Sequence, residues 1–400
     1  MNKLTITTAC AARHLFAGLA LGALAAGPAA AASPIKIGIL LPYSGVFGGL
    51  GKDQDAAIEM GFDDFGREVG GRKIELIKAD TESKPNAGLQ AARKLVLKER
   101  VDMVAGIISS GVAGAVRDFF DKSKTPLIIT NAGNDTLTGE ACSPWILRSS
   151  FSNSQINREM GPWMAGQGYK NVFLMAFDYA AGHQMMDAFR GGFESAGGTI
   201  VGEEYPPLGE TKDFGPYLAK LKAAKPDAAY VFFAGGPAIK FVTEYAAFGL
   251  KGDIKLAGAG WLTSALYVKK QGADAEGVLS ILNYVPSIDN PQNEAFQEKF
   301  RAKHGRDGSE FGVAAYDTAR LMVEALQAAG GYTDDKQALV AAMHHVEFDG
   351  PRGPFRIDPR TNNVIQNIYI SEVQKSGDSV EAVVQAVMPN VRDEPNGCTL

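Results

Sequence analysis

Histidine and cysteine are scarce in this chain: five histidines and three cysteines among 400 residues. His183, His304, His344 and His345 show no metal-ligand spacing to one another, to a cysteine or to a carboxylate. His344 and His345 adjoin on a helical stretch, so their side chains point about 100° apart and do not converge. Gly106-Ile107-Ile108-Ser109-Ser110-Gly111 departs from the G-x-S-x-G elbow of serine hydrolases. Gly49-Leu50-Gly51-Lys52-Asp53-Gln54 lies where a dinucleotide fingerprint belongs, but its sixth position is glutamine, and no Walker sequence is present. No catalytic residue, metal or cofactor is assigned from these patterns, and an enzyme is not expected.

Basic surplus is missing too. Residues 1–32 hold Lys3 and Arg13 and no acid; without them 38 basic face 45 acidic residues, a net charge of −7. An acidic chain offers no electrostatic footprint for nucleic acid. After Ala32 no apolar run reaches the roughly 20 residues that span a bilayer. The segment 1–32 itself has a basic start, an apolar stretch from Leu15 and the small residues Ala30-Ala31-Ala32 before Ser33-Pro34, which describes a cleavable export signal. Export to an oxidising compartment, the periplasm, lets Cys142 and Cys398 pair, and a disulfide between them is expected.

What is abundant is alternation of strand and helix. Continuous apolar runs at 35–41, 73–79, 102–108, 126–130, 171–177, 199–205, 228–233, 255–259 and 277–283 read as strands buried on both faces of a parallel sheet. Helical stretches lie between them, Gln155–Gln167 and Val112–Lys122 among them, and Lys84-Pro85-Asn86 reads as a helix start. The β-α-β pattern runs twice and is followed by three consecutive helices and a hairpin formed by 353–357 and 367–372. The expected fold is therefore α/β: two doubly wound parallel-sheet lobes joined by a three-segment hinge. Lobe I takes 33–150 plus 287–352; lobe II takes 151–286 plus 353–400. The crossings are expected near 149–153, 284–288 and 350–355.

Ligands of open α/β sheets bind beyond the carboxyl ends of the strands. Four polar, glycine-rich ends stand out: Pro42–Gly51, Ile108–Gly111, Thr130–Asn134 and Asp178–Gly182. Hydroxyls and free amides at a helix start hold an anion without a lysine, and Ser109, Ser110 and the amides near Gly111 suit a carboxylate.

Ile37–Gly45, Gly106–Ser110, Thr130–Gly133 and Trp145–Ser150, with Lys212-Asp213-Phe214 and Tyr316-Asp317 in the same order, resemble the leucine/isoleucine/valine-binding family, the type I periplasmic binding proteins of branched-chain-type ABC importers. The resemblance covers nearly all of 33–400. It implies a clamp that closes on a small-molecule ligand and hands it to a membrane permease; a monomer is expected. Amino-acid binders of that family pair the ligand's ammonium with a carboxylate after the strand that here is 255–259. This loop instead reads Gly258-Ala259-Gly260-Trp261-Leu262-Thr263, without an acid. A buried ammonium with no partner costs several kcal/mol. The chain thus resembles the branch that binds aromatic carboxylates of benzoate or hydroxycinnamate type, unless Asp178 or another acid substitutes. The second reading is the same clamp on branched-chain amino acids or amide and urea-type solutes. Expected ligand-binding residues are Phe47, Leu50, Ser109, Ser110, Asn131, Ala132, Gly133, Tyr179, Gly235 and Trp261.

Overall fold

Strand β1 (Ile35–Leu41) shows why the runs are continuously apolar. Side chains alternate across a strand. Ile35, Ile37, Ile39 and Leu41 pack on one side of the sheet with the helices Gly48–Phe65 and Glu310–Ala328, while Leu40 packs on the other with Ala92, Leu95, Val112 and Phe120. Both faces are covered, so neither tolerates a polar alternation. The computed structural model describes residues 33–400 and, ahead of them, Met1, Leu4, Thr5 and Thr7. The export signal expected over 1–32 lies outside the described residues. No helix among the described residues is long and apolar enough to cross a membrane.

After β1 come a short β2 (Glu68–Val69), β3 (Arg72–Asp80), β4 (Met103–Gly106), β5 (Leu127–Ile129) and β6 (Ile146–Arg148), in spatial order β2-β3-β1-β4-β5-β6. All these pairs are parallel except β2 with β3. The second half holds β7 (Asn171–Ala176), β8 (Thr199–Glu204), β9 (Ala228–Phe232), β10 (Lys255–Ala259) and β11 (Leu279–Leu282), parallel in the order β8-β7-β9-β10-β11. Val172, Leu174 and Ala176 of β7 face Met185 and Phe189; Phe173 and Met175 face Phe214, Leu218 and Phe241. Two doubly wound parallel sheets are thus present, as the fold class required.

Four antiparallel strands end the chain: β12 (Glu347–Gly350), β13 (Gly353–Asp358), β14 (Asn363–Ser376) and β15 (Ser379–Val391). Here the structure departs from the sequence reading. Gly353, at φ +87°, turns β12 back on β13 as a hairpin, so the chain does not pass between the halves at 350–355. The third passage falls within β14, which pairs with β6 at Asn363 and with β11 from Tyr369 to Glu372. The expected hairpin of 353–357 with 367–372 is not formed: Arg356–Asp358 pair with Asn363–Ile365, and residues 368–372 lie against β15 and, from Tyr369, β11. The single helix expected over 155–167 is two, Asn153–Arg158 and Met160–Gly166, because Pro162 has no amide to give to the Arg158 carbonyl.

Where the three passages run side by side, buried side chains tie them together. Arg352 donates from Nε to Asp317 Oδ2 at 2.6 Å, from Nη1 to Gln366 Oε1 at 2.7 Å and from Nη2 to the Ser149 carbonyl at 2.6 Å. Asn283 Nδ2 donates to the Ser150 carbonyl and to Gln366 Oε1, each at 3.1 Å. Residues 149–150, 283 and 366 stand on the first, second and third passages, so the hinge is one hydrogen-bonded knot.

Cys142 and Cys398 form a disulfide, with Cα atoms 5.6 Å apart and 256 residues of sequence separation. Arg117 holds the same loop, donating from Nε to the Ala141 carbonyl and from Nη2 to that of Cys142. Closing so long a loop removes much unfolded-state freedom, which on chain-entropy grounds stabilises by up to about 5 kcal/mol. Reduction is expected to lower the melting temperature by several degrees, read by circular dichroism with and without reductant; an unchanged melt would show that the disulfide contributes nothing to stability.

Candidate functional site

The carboxyl ends of β1, β4, β5 and β6 on one side, and of β7, β9 and β10 on the other, enclose a cavity of about 400 Å³ including its mouth.

On the first side the backbone turns sharply out of β4. Gly106 has φ +138°, and a Cβ there would stand 2.3 Å from the Leu40 carbonyl oxygen. Ile107 follows at φ +72°, a left-handed conformation rare for a β-branched residue. Two bonds hold it: its amide donates to the Leu40 carbonyl at 2.8 Å, and its carbonyl accepts from the Ala132 amide at 3.0 Å. The turn delivers Ser109 as N-cap of the helix Ser110–Ser123, and the Ser109 side chain makes no capping bond. The first-turn amides of that helix have no intrahelical acceptor, so hydroxyls and amides meet at the cavity wall, where the helix dipole favours negative charge.

Asn131 is fixed by a bond from Nδ2 to the Ile108 carbonyl at 3.1 Å. Gly133 is required by close approach: a Cβ would lie 2.2 Å from Asn153 Oδ1 and 2.6 Å from the Phe151 ring. Asn153 donates from its amide to the Gly133 carbonyl at 2.7 Å and from Nδ2 to Gln184 Oε1 at 2.8 Å. Its Oδ1 is buried without a hydrogen-bond partner.

The second side is aromatic. Trp261 is 3% exposed. Its ring lies 4.8 Å from Phe151 and 5.6 Å from Phe232, and Tyr179 stacks on Phe232 at 6.1 Å. Tyr267 backs the wall by donating to the Trp261 carbonyl and accepting from the Gly235 amide. Burial pushes the Tyr179 hydroxyl pKa up, so it stays protonated and able to donate.

Of the ten residues expected at the site, Phe47, Leu50, Ser109, Ser110, Asn131, Gly133, Tyr179 and Trp261 line this cavity. Ala132 does not: it packs with Leu40 and Val112 in the core behind the sheet, while its neighbours on either side face the cavity. Gly235 does not line it either; it makes the turn at φ +68° that places Ala234 on the wall. Phe151, Asn153, Met185, Phe232 and Phe311 line it and were not anticipated. Phe232 lies inside the apolar run 228–233, which reads as core throughout, so periodicity carries no signal for it. Asp178 turns away, bonded to His183 at 2.8 Å and largely exposed. No residue lining the cavity is charged. Among the described residues no cluster of histidine, cysteine and carboxylate groups suits a metal ion.

A family described as periplasmic binding protein matches residues 34–378. The chain belongs to the periplasmic binding protein family. Leu/Ile/Val-binding protein homolog 6 of Brucella melitensis is 32% identical over 369 residues, 90% of this chain and 94% of that one. An ABC transporter substrate-binding protein from Sphaerobacter thermophilus is 36% identical with a TM-score of 0.87, over 90% of this chain and all of the other. A solute-binding protein of an ABC transporter from R. palustris, solved in complex with benzoate, is 34% identical with a TM-score of 0.86, over 92% of this chain and all of the other. This periplasmic binding protein is accordingly an ABC-transporter solute-binding protein and not an enzyme.

Proposed function

We propose that this binding protein captures a small aromatic carboxylate of benzoate type in the cleft between its lobes and delivers it to an ABC permease. The observation that carries the reading is the charge-free cavity: one wall of hydroxyls and helix-start amides, the other of aromatic rings. An α-amino acid would bury its ammonium there with no acid in reach, at a cost of several kcal/mol. A benzoate needs only an anion cradle and a flat apolar slot. The benzoate complex of the R. palustris relative supports the same class.

In this reading lobe I receives the carboxylate through Ser109, Ser110 and the Asn131–Gly133 loop, and lobe II closes Tyr179 and Trp261 onto the ring. Burying about 150 Å² of ring at about 25 cal/mol/Å² contributes about 4 kcal/mol, and each charge-assisted hydrogen bond adds roughly 1.5–3 kcal/mol. After the cost of association, low-micromolar or tighter binding follows. Ser109→Ala is expected to weaken benzoate binding about tenfold; unchanged affinity by calorimetry would remove that hydroxyl from the anion site. Small-angle scattering tests the capture itself: saturating benzoate compacts the protein if the lobes close, and an unchanged profile contradicts the clamp.

A further inference from the structure

Behind the ligand cavity a second space of about 770 Å³ separates the helix Glu310–Ala328 from the loop that follows β10. Two of its walls continue walls of the ligand cavity. Phe311 faces the ligand cavity and its neighbour Glu310 faces this one; Trp261 faces the ligand cavity and Thr263 to Ala265 face this one. Glu310 is 6% exposed, and its Oε1 is buried with no hydrogen-bond partner. Ser264 and Ala265, on the loop after β10, line the same space.

Lys269 and Arg301 line the same space as Glu310, but the cations around it are paired with other acids. Asp53 of the helix Gly48–Phe65 pairs with Arg306 at 2.5 Å. Asp307 pairs with Lys269 at 3.3 Å and with Arg301 at 3.0 Å. Glu381 of β15 stands on the cavity wall and adds negative charge. Tyr267 and Tyr284 face Glu310 as neutral phenols, their hydroxyls donating to the Trp261 carbonyl and to Asn293 Oδ1. Asp317 lies deeper on the same helix and is held by Arg352.

We propose that Glu310 is a protonation site that couples proton uptake to ligand capture, because closing the lobes buries this carboxyl, without a paired cation, against Ser264 and Ala265. The inference rests on the reading of the cleft as one that closes on its ligand. Burial pushes the Glu310 pKa up to about 7 in this structure; a form that opens it to water returns it to the ordinary value of about 4.3. A raised carboxyl pKa favours the closed form when protonated. That advantage is complete below about pH 4, falls as pH rises through the interval between the two values, and is gone above the closed-form value. Asp135, pushed up to about 6 by burial beside Ser154, acts in the same sense with a smaller span.

The test is calorimetric titration of benzoate into the wild type and Glu310→Gln at pH 5.5 and 8, where benzoate is ionised throughout. Wild-type affinity is expected to fall about 100-fold over that interval, about 25-fold through Glu310 and about fourfold through Asp135, and the variant to keep only the fourfold share. Equal pH dependence in the two proteins overturns the proposal. If benzoate does not bind, the ligand reading fails separately, and ligand-free scattering decides: the wild type should be more compact at pH 5.5 than at pH 8 and Glu310→Gln should change clearly less, whereas identical behaviour of the two proteins overturns the coupling.

Discussion

Trp261→Ala is expected to weaken benzoate binding by on the order of a hundredfold, about 2–3 kcal/mol, the usual cost of truncating a central aromatic anchor. The indole is nearly fully buried between Phe151, which follows β6, and Phe232, which ends β9. Its removal takes away the ring-facing wall and lets Phe151 and Phe232 relax into the space. Trp261→Phe keeps a flat face and should cost clearly less. Because Trp261 also belongs to the main core, a melt of each variant separates affinity from stability. If Trp261→Ala binds benzoate as well as the wild type while remaining folded, the ring does not sit on that wall.

Arg352→Ala is expected to destabilise the protein by about 3–5 kcal/mol, since it leaves the Asp317 carboxylate buried and unpaired. Both side chains are essentially inaccessible to water, 0% and 1% exposed. The same change releases the Ser149 carbonyl and Gln366 Oε1, which Arg352 satisfies on the first and third passages. The loss should therefore be larger than for a surface pair such as Lys84–Glu82, which contributes about 0–1 kcal/mol. Arg352→Met together with Asp317→Leu replaces the pair by apolar groups and should recover much of the stability. Denaturant unfolding of the single and double variants checks this; a single variant as stable as the wild type would mean that the hinge knot is not held through Arg352.

Much of this architecture was legible in the chain because parallel strands buried on both faces announce themselves as unbroken apolar runs. β1, β7 and β9 have bounds close to those runs, and Ser109, Gly133, Tyr179 and Trp261 were visible as unusual residues at strand ends. The misses have physical causes. β15 alternates between buried and exposed positions with only a partial apolar face, so its thirteen residues carried no run. The third passage is expected near 350–355, but Gly353 makes a hairpin turn there and the crossing occurs inside the continuous strand β14. Phe151 and Phe232 were passed over because a core phenylalanine and a pocket phenylalanine look the same until the strand ends are brought together. Glu310 gave no sign at all: a glutamate after a serine cap is an ordinary helix start, and only the opposing loop makes its burial unusual.

The most direct measurement is calorimetric titration of the purified protein, freed of any ligand, with benzoate and separately with leucine. Micromolar or tighter binding of benzoate is expected, and no measurable heat with leucine. Tight binding of leucine with none of benzoate would contradict the benzoate reading, since it would require a partner for the ammonium in a cavity whose walls carry no charge.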